Sequence, residues 1–259
     1  MNTPSSEEKT KRSDQNAWAS PIKQMKVSGA PAGALNINVN GRQLNSPIQG
    51  FGRMWQKTFK IRLPGLKLTP ETLMGIWKEN FQAFQPPENT FYPTMAGIKP
   101  GEVLLIEAKV PPFPGMPNFL PVATGVLVMY ADETSFTVMT PEGHPEAGWN
   151  TFSVFEEDGS LVAQAQSLGR PADPMYEFFL RFLGAGDQQD KVWIHMLEQL
   201  AAHFNVSSEV ILTKVLVDPS VQWSQAKNIW KNAAVRTVFY LLGAPFRWLL
   251  KPFKTQPHP

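Results

Sequence analysis

The stretch PVATGVLVMYADETSFTVMTPEGHPEAGWNTFSVFEEDGSLVAQAQSLGRP, residues 121–171, decides the fold class because apolar segments alternate with turn residues along its length. The first segment is rich in β-branched residues, which favour strands, and Gly, Pro, Asp and Glu fill the intervals. Glu157-Asp158-Gly159 is a strong hairpin signal. The four apolar segments lie at residues 122–131, 135–140, 149–155 and 161–168. The pattern predicts an antiparallel meander of four strands.

The flanking segments predict further strands and several helices. Residues 55–63 alternate between an apolar-rich face and a polar face, as a half-buried strand does. Thr69-Pro70 predicts the start of a helix, because threonine caps a helix and proline fits its first turn. Apolar residues then recur at helical spacing to about Phe84. The full set comprises strands at 34–39, 55–63 and 102–110 and helices at 69–84, 172–183, 187–204 and 208–216.

Composition excludes several classes of function. The chain of 259 residues has no cysteine, which rules out disulfides, thiolate metal ligands and a cysteine nucleophile and is compatible with a reducing cytoplasm. Its four histidines do not lie at metal-ligand spacing, and no glycine-rich phosphate loop is present. We therefore expect no metal and no cofactor. A net charge of +2 gives no general attraction to nucleic acid, so we expect no nucleic-acid partner.

The order of the elements, which is strand, helix, antiparallel meander and long C-terminal helix, is that of the helix-grip fold. Two pieces, GRQLNSPIQGFGRMWQKTF at 41–59 and TPEGHPEAGWNTFSVFEEDGSLVAQAQSLGRPADP at 140–174, also carry a resemblance. With the helix that follows, they resemble a poorly characterised bacterial and plant group within the START-like (SRPBCC) superfamily. The resemblance covers about residues 40–205. It implies an α+β helix-grip fold, in which a curved antiparallel sheet wraps around a C-terminal helix and leaves an apolar cavity.

These patterns divide the chain into three parts. Residues 1–33 are rich in Ser, Lys, Pro and Gly and predict a disordered leader. Residues 34–205 hold the START-like helix-grip domain, and residues 206–259 predict an appended, basic, amphipathic helical tail. Charge is uneven between the parts, since residues 111–169 contain seven acids and no Lys or Arg, whereas residues 219–259 contain six cations and no acid.

Aromatic and amide side chains are the candidates for the lining of the cavity. Aromatic stripes at helical or strand spacing fit a ligand cavity, and they equally fit an ordinary core. Gln164 and Gln166 share one face of the last meander strand; they orient a ligand if that face points inward and meet solvent if it points outward. The candidates are Trp77, Phe81, Phe84, Tyr130, Trp149, Phe152, Gln164, Gln166, Met175, Phe178, Phe179 and Phe182.

His144 and Glu146 are the candidates for catalysis, in a turn that the fold would place at the rim of the cavity. An imidazole that a carboxylate orients can act as a general base. The alternative is a turn histidine that meets water or backbone. Because the chain has no G-x-S-x-G motif, the residues favour a binding protein over an enzyme.

The tail interleaves aromatic and basic residues, as helices at membrane surfaces do. Its candidate face comprises Trp230, Phe239, Phe246, Trp248, Lys227, Lys231, Arg247 and Lys251. This face would dock on an anionic membrane, which for a cytoplasmic protein is the inner face of the membrane. The alternatives are packing against the domain and packing against a second copy, which would make a homodimer.

The sequence thus leads to three functional hypotheses. The favoured one is binding, for transport or sensing, of a hydrophobic or amphipathic small molecule in an internal cavity at a membrane surface. The second is a cyclase- or hydrolase-like enzyme that uses His144 and Glu146. The third is a non-catalytic module that docks on membranes through its tail.

Overall fold

An eight-stranded antiparallel sheet forms the body of the molecule, and the predicted meander supplies its centre. The computed structural model describes residues 14–28, 30, 33–92, 94, 96–110, 116 and 120–244. Within these residues the strands are β1 (Met54–Leu63), β2 (Asn89–Tyr92), β3 (Val103–Val110), β4 (Leu120–Ala131), β5 (Ser135–Met139), β6 (Glu146–Glu157), β7 (Ser160–Pro171) and β8 (Val210–Asp218). The α-helices are α1 (Pro70–Glu79), α2 (Pro174–Phe182), α3 (Ala185–His203) and α4 (Ala233–Leu242). The strands follow the order β2-β3-β4-β5-β6-β7-β1-β8.

The turns of the meander form where the sequence predicts them. Asp158 and Gly159, between β6 and β7, both take positive φ angles, 51° and 72°, and such turns match the twist of a two-stranded hairpin. Between β4 and β5 the Asp132 carboxylate accepts hydrogen bonds from the backbone N–H groups of Thr134 and Ser135. These local interactions specify the register of the meander.

Helix α3 packs against one half of the inner face of the sheet, which β7, β1 and β8 form. Leu197 and Leu200 of α3 join a buried cluster with Phe59 of β1 and with Ala163 and Ala165 of β7. Since the alanines are small, the helix approaches the sheet closely at these positions. The curved sheet thus wraps around its long helix, and the chain adopts the α+β helix-grip fold that the order of the elements predicts.

Helix α1 covers the inner face of the sheet beside β6. The Thr69 side chain caps it by accepting a hydrogen bond from the backbone of Thr72. Trp77 is fully buried and meets the Phe152 ring edge to face, with 5.7 Å between the ring centroids. The helix ends at Glu79 rather than at residue 84, and the residues that follow form turns.

The helix predicted at 208–216 is wrong, because these residues form the edge strand β8 that pairs with β1. The run is rich in valine and isoleucine, and β-branched residues fit a pleated, half-buried surface. Val210 and Leu212 pack against the core, and Lys214 lies on the same face. The edge of β1 supplies a pairing partner that no local pattern reveals.

The strand predicted at 34–39 is also wrong, since residues 37–40 form turns.

The folded unit extends beyond both boundaries expected from the sequence. Met25, in the segment assigned to a disordered leader, is fully buried and covers Leu105 and Leu127 on the outer face of the sheet. Trp18 forms a bridge with Tyr130. At the other end β8 and α4 both pack on the sheet, so the boundary expected at residue 205 lies inside the folded unit. Residues 206–244 are therefore not a purely helical tail.

Helix α4 docks on the part of β4 that β5 does not reach, since β5 pairs only with residues 127–131 of β4. The backbone N–H of Ala123 donates to the Thr237 hydroxyl of α4 at 3.1 Å. The Ala123 carbonyl accepts a hydrogen bond from the Asn38 side chain at 2.8 Å, and Asn38 also donates to Thr237 at 3.0 Å. Side chains thus take the place of a strand partner at this point of the sheet.

Buried hydrogen bonds also hold the first turn of α4. The Asn232 amide donates to the Asp173 carboxylate at 2.8 Å, and the backbone N–H of Ala234 donates to the Tyr176 hydroxyl at 3.1 Å. All four residues are buried. Because Asp173 also caps α2, the positions of α2 and α4 are coupled.

We expect Thr237→Val to lower the free energy of unfolding by about 2 kcal/mol. The substitution keeps the shape of the side chain, but it leaves the Ala123 N–H without its acceptor in a buried site and removes one of the acceptors of the Asn38 amide. Urea denaturation measures the change. Thr213→Val, at an exposed position of β8, is the matched control and should change the free energy by less than about 0.5 kcal/mol. Equal effects of the two substitutions would contradict the docking role of Thr237.

Candidate functional site

A cavity of 690 Å³ lies between the sheet and the helices. Its floor is the inner face of β3 to β6, and its walls come from α2, α4, one side of α3 and the segment after α1. The volume is within the range of pockets that hold small organic ligands. Apolar residues of the floor include Leu104, Ile106, Ala108, Val126, Val138 and Phe152. Apolar residues of the walls include Met175, Phe179, Val192, Trp193, Val235 and Val238.

The register of the strands divides the inner face of the sheet into an aromatic row and a polar row. The aromatic row runs across four strands as Phe59, Ala165, Phe152 and Phe136. Two residues along each strand, the polar row runs as Lys57, Ser167 and Asn150, and it ends at the apolar Val138 of β5. The inner face of β1, β7 and β6 therefore changes from apolar to polar over two residues along each strand. Asn150 is the residue of the polar row that lines the cavity.

Three buried polar atoms of the cavity wall have no hydrogen-bond partner among the described residues. They are Thr124 Oγ1, Asn150 Oδ1 and Gln85 Oε1. The Gln85 amide nitrogen donates to the Phe81 carbonyl at 3.2 Å, which leaves its oxygen as an acceptor. Since an unpaired buried polar group costs about 1–3 kcal/mol, a ligand that pairs with these atoms gains that free energy.

His144 and Glu146 both lie in the wall of the cavity, in the turn before β6 and at the first residue of that strand. His144 Nδ1 is 3.1 Å from the backbone nitrogen and 3.0 Å from the backbone oxygen of Glu146. The Glu146 carboxylate accepts a hydrogen bond from the Gln189 side chain of α3 at 3.0 Å. The backbone of Glu146 thus orients the imidazole, and the expectation that its carboxylate does so is corrected.

Desolvation favours the neutral forms of both side chains. It lowers the pKa of His144 to about 4. It raises the pKa of Glu146, and the positive charge of Lys57 and the hydrogen bond from Gln189 counter this only in part. At neutral pH the imidazole is therefore uncharged, as suits an apolar cavity.

A second, smaller cavity of 320 Å³ lies beyond Glu146 and is lined by charged residues. Lys57 forms an ion pair with the buried Asp190 at 2.7 Å, and the Glu177 carboxylate accepts a hydrogen bond from the backbone of Arg53 at 3.3 Å. Within the described residues, no three His, Asp or Glu side chains come together as metal ligands. Of the charges that line this cavity, Lys57 and Lys214 are thus paired with Asp190, and Arg170 is paired with Asp218.

We expect His144→Gln to reduce the loss of stability on acidification. Between pH 6.5 and about 4 the unfolded chain takes up a proton at His144 that the folded chain resists, so the wild type loses up to about 3 kcal/mol over this window. The glutamine variant has no such loss. Urea denaturation at pH 7 and pH 4.5 measures the difference. His203→Gln, on the exposed side of α3, should retain the pH profile of the wild type, and a His144 variant that also retains it would refute the assignment.

Four of the residues predicted for the cavity lie in its wall, namely Phe81, Phe152, Met175 and Phe179. Trp77 and Phe84 are buried in the main core cluster instead. Phe178 and Phe182 are exposed, because α2 turns Met175, Tyr176 and Phe179 toward the cavity and leaves Phe178 and Phe182 on its solvent side. The prediction that Phe178 and Phe182 face inward is wrong.

The other predicted cavity residues lie on the outer face of the sheet; they are Tyr130, Trp149, Gln164 and Gln166. Side chains alternate between the faces of a strand, so Trp149 cannot share the inner face with Phe152, three residues away. Ala165 faces α3, and its neighbour Gln166 therefore points outward, where it donates a hydrogen bond to the Thr58 hydroxyl at 3.0 Å. The inward alternative for the two glutamines is wrong.

The sequence analysis missed Thr124, Asn150 and the wall that α4 contributes through Val235 and Val238. A signal for Asn150 was present, because the parity of β6 places it on the same face as Phe152. No sequence signal could have placed α4 against the cavity, since its position depends on the contact with β4.

Four of the residues predicted for the membrane face lie in the described part of the chain, and four lie outside it. Trp230 is 84% exposed and Phe239 is 70% exposed, so neither is packed dry against the body of its own chain. Lys227 is also exposed, whereas Lys231 forms an ion pair with Glu142. Phe246, Arg247, Trp248 and Lys251 lie outside the described residues. Among the described helices, none combines the length and the apolar character needed to cross a membrane.

No protein-family model and no curated protein sequence matches the chain. Solved structures are similar to it, among them a START superfamily protein from Mycobacterium smegmatis, with 16% identity over 60% of this chain and 100% of that chain and a TM-score of 0.40. Ara h 8.0201 has 12% identity, covers 58% and 97% of the two chains, and has a TM-score of 0.40. Ginseng major latex-like protein 151 from Panax ginseng has 9% identity, covers 59% and 98%, and has a TM-score of 0.36.

Proposed function

We propose that the protein binds a hydrophobic or amphipathic small molecule in the 690 Å³ cavity, in the service of transport or sensing. The observation that carries this proposal is an apolar cavity whose wall holds buried polar atoms without partners in the described residues. A core built for stability alone would be close-packed and would pair its polar groups. The cavity departs from both rules.

The apolar area that a ligand would bury is enough to give a favourable free energy of binding. A ligand that buries roughly 400 Å² of apolar surface gains about 10 kcal/mol at 25 cal/mol per Å². Lost freedom on association takes at least about 4 kcal/mol of this gain. The balance of about 6 kcal/mol corresponds to a Kd of roughly tens of micromolar, and each hydrogen bond to a buried polar atom would lower the Kd further.

The contacts of His144 favour binding over the cyclase- or hydrolase-like alternative. Its Nδ1 is engaged by the backbone of Glu146, and the Glu146 carboxylate is engaged by Gln189. A pKa of about 4 makes the imidazole a weak base at neutral pH. The Glu146 carboxylate therefore does not orient the imidazole, and the imidazole lacks the basicity of a general base at neutral pH.

We expect Val126→Phe, on the floor of the cavity, to weaken binding of the neutral apolar dye Nile red by about 10-fold or more, because the larger ring occupies ligand space. Fluorescence titration measures the affinity. Val215→Phe, at an exposed position of β8, is the matched control and should bind the dye as the wild type does. Native mass spectrometry of the wild type, purified from its own cells, should show a co-purifying molecule. Wild-type protein that binds no dye and carries no molecule would refute the proposed function.

A second proposal concerns the surface around the cavity, which would dock on an anionic membrane. Both α2 and α4 form walls of the cavity and carry exposed apolar residues, namely Phe178, Phe182, Phe239 and Leu242. The Arg181 guanidinium lies 4.9 Å from the centre of the Phe182 ring, and Lys191 lines the cavity from α3. Aromatic and basic side chains in this combination favour the interface of anionic lipids.

We expect the double variant Phe239→Ser, Leu242→Ser to float with vesicles of phosphatidylcholine and phosphatidylserine several-fold less than the wild type, because it loses apolar surface for insertion. The control is Ile211→Ser, an exposed apolar position on β8, which should float as the wild type does. If the wild type stays in solution with these vesicles at low salt, the membrane proposal fails. Sedimentation that then shows a dimer would assign the surface to a second copy.

A further inference from the structure

Thr124, His144 and Glu146 gather toward one end of the cavity, whereas the Gln85 amide lies beside Phe81. Leu127 of β4 is level with Met139 of β5, which is level with Trp149 of β6. Thr124, three residues before Leu127, therefore lies toward the end of the sheet where the His144 turn and Glu146 lie. All three residues line the cavity.

The opposite end of the cavity is aromatic. Phe81 of the segment after α1 packs edge to face against Phe152 and Phe136, with ring centroids 5.3 Å and 5.6 Å apart. Trp193 of α3 lies 5.6 Å from the Phe152 ring. Asn150 stands between the two ends, one step along β6 from Phe152. The cavity is thus amphipathic along the direction of the strands.

From this arrangement we infer that the ligand is a neutral, hydroxyl-bearing apolar molecule, whose hydroxyl groups bond Thr124 and Asn150 and whose hydrocarbon body lies against Phe81 and Phe152. The inference rests on the proposed function, because it names the class of molecule that the same cavity takes. Thr124 and Asn150 are both at least nine-tenths buried, and each has a side-chain atom without a partner in the described residues.

A hydroxyl group matches these two side chains because it both donates and accepts a hydrogen bond. The Thr124 hydroxyl can take either role, and the Asn150 amide presents an acceptor or a donor according to its orientation. A hydrocarbon would leave both groups unpaired. A carboxylate only accepts, so it leaves the Asn150 oxygen unpaired in the observed orientation of the amide.

The surroundings of the polar end disfavour a charged ligand. An anion there would lie near the Glu146 carboxyl, which also lines the cavity. Lys57, the cation of the polar row, is already paired with Asp190. Lys109 and Lys191 line the cavity but are exposed and hydrated. A desolvated charge in this apolar space would therefore be costly.

The test compares dodecanol, dodecanoate and dodecane, which share a chain length and differ in their head group, as competitors of Nile red. The wild type should bind dodecanol at least about 10-fold more tightly than dodecane or dodecanoate. Thr124→Val and Asn150→Leu should each reduce this preference several-fold while the affinity for dodecane stays the same or rises. Thr213→Val, exposed on β8, should keep the full preference.

A second readout does not depend on the ligand. Thr124→Val replaces a buried hydroxyl without a described partner by a methyl group of the same shape, so it should raise the Tm of the ligand-free protein by about 2–4 °C. A hydroxyl that is paired within the protein would give the opposite sign. A lowered Tm would therefore overturn the assignment of Thr124 as a ligand contact.

The outcomes separate this inference from the proposed function. Equal affinity for dodecanol and dodecane, or a preference that both variants retain, would overturn the inference and leave the binding function standing. Tighter binding of dodecanoate than of dodecanol would show that the polar end of the cavity binds an anion, and it would also overturn the inference. A wild type that takes up neither the dye nor any of the three competitors would refute both.

Discussion

The backbone of β4 at Ala123 needs hydrogen-bond partners that β5, only five residues long, does not supply. Buried backbone groups are almost always paired, and here the Thr237 hydroxyl and the Asn38 amide take that role. This requirement brings together a residue before β1 and a helix after β8. It places α4 beside the sheet, and α4 then becomes a wall of the cavity.

The cavity exists because α3 covers only part of the sheet that it grips. Over β7, β1 and β8 the helix meets small side chains such as Ala163 and Ala165 and excludes ligand space. Over β3 to β6, α1 covers only the part of the inner face beside β6, and α2, α4 and one side of α3 enclose the space that remains. One half of the sheet thus packs against α3 and stabilises the fold, and the other half forms the floor of the cavity.

Polarity inside the cavity follows from the register of the strands. A shift of one residue would turn Asn150 and Thr124 to the outer face and leave a purely hydrocarbon space. In the observed register they face the cavity beside neutral His144 and beside Glu146, whose pKa is raised by desolvation. A cavity with few charged groups and with separate hydrogen-bonding groups suits the binding of an amphipathic ligand better than it suits proton transfer.

Local pattern was sufficient for the meander, its turns, α2, α3 and the helix-grip class, because alternation, caps and turn residues act over a few positions. Of the residues expected in the cavity, Phe81, Phe152, Met175 and Phe179 line it. Long-range packing decided the rest. Residues 208–216 form a strand because they pair with the edge of β1. The glutamines of β7 face outward because the alanines of β7 pack against α3. Helix α4 forms a wall of the site because it binds the backbone of β4 at Ala123, where β4 has no strand partner. Such outcomes depend on which surfaces meet, and no window of neighbouring residues contains that information.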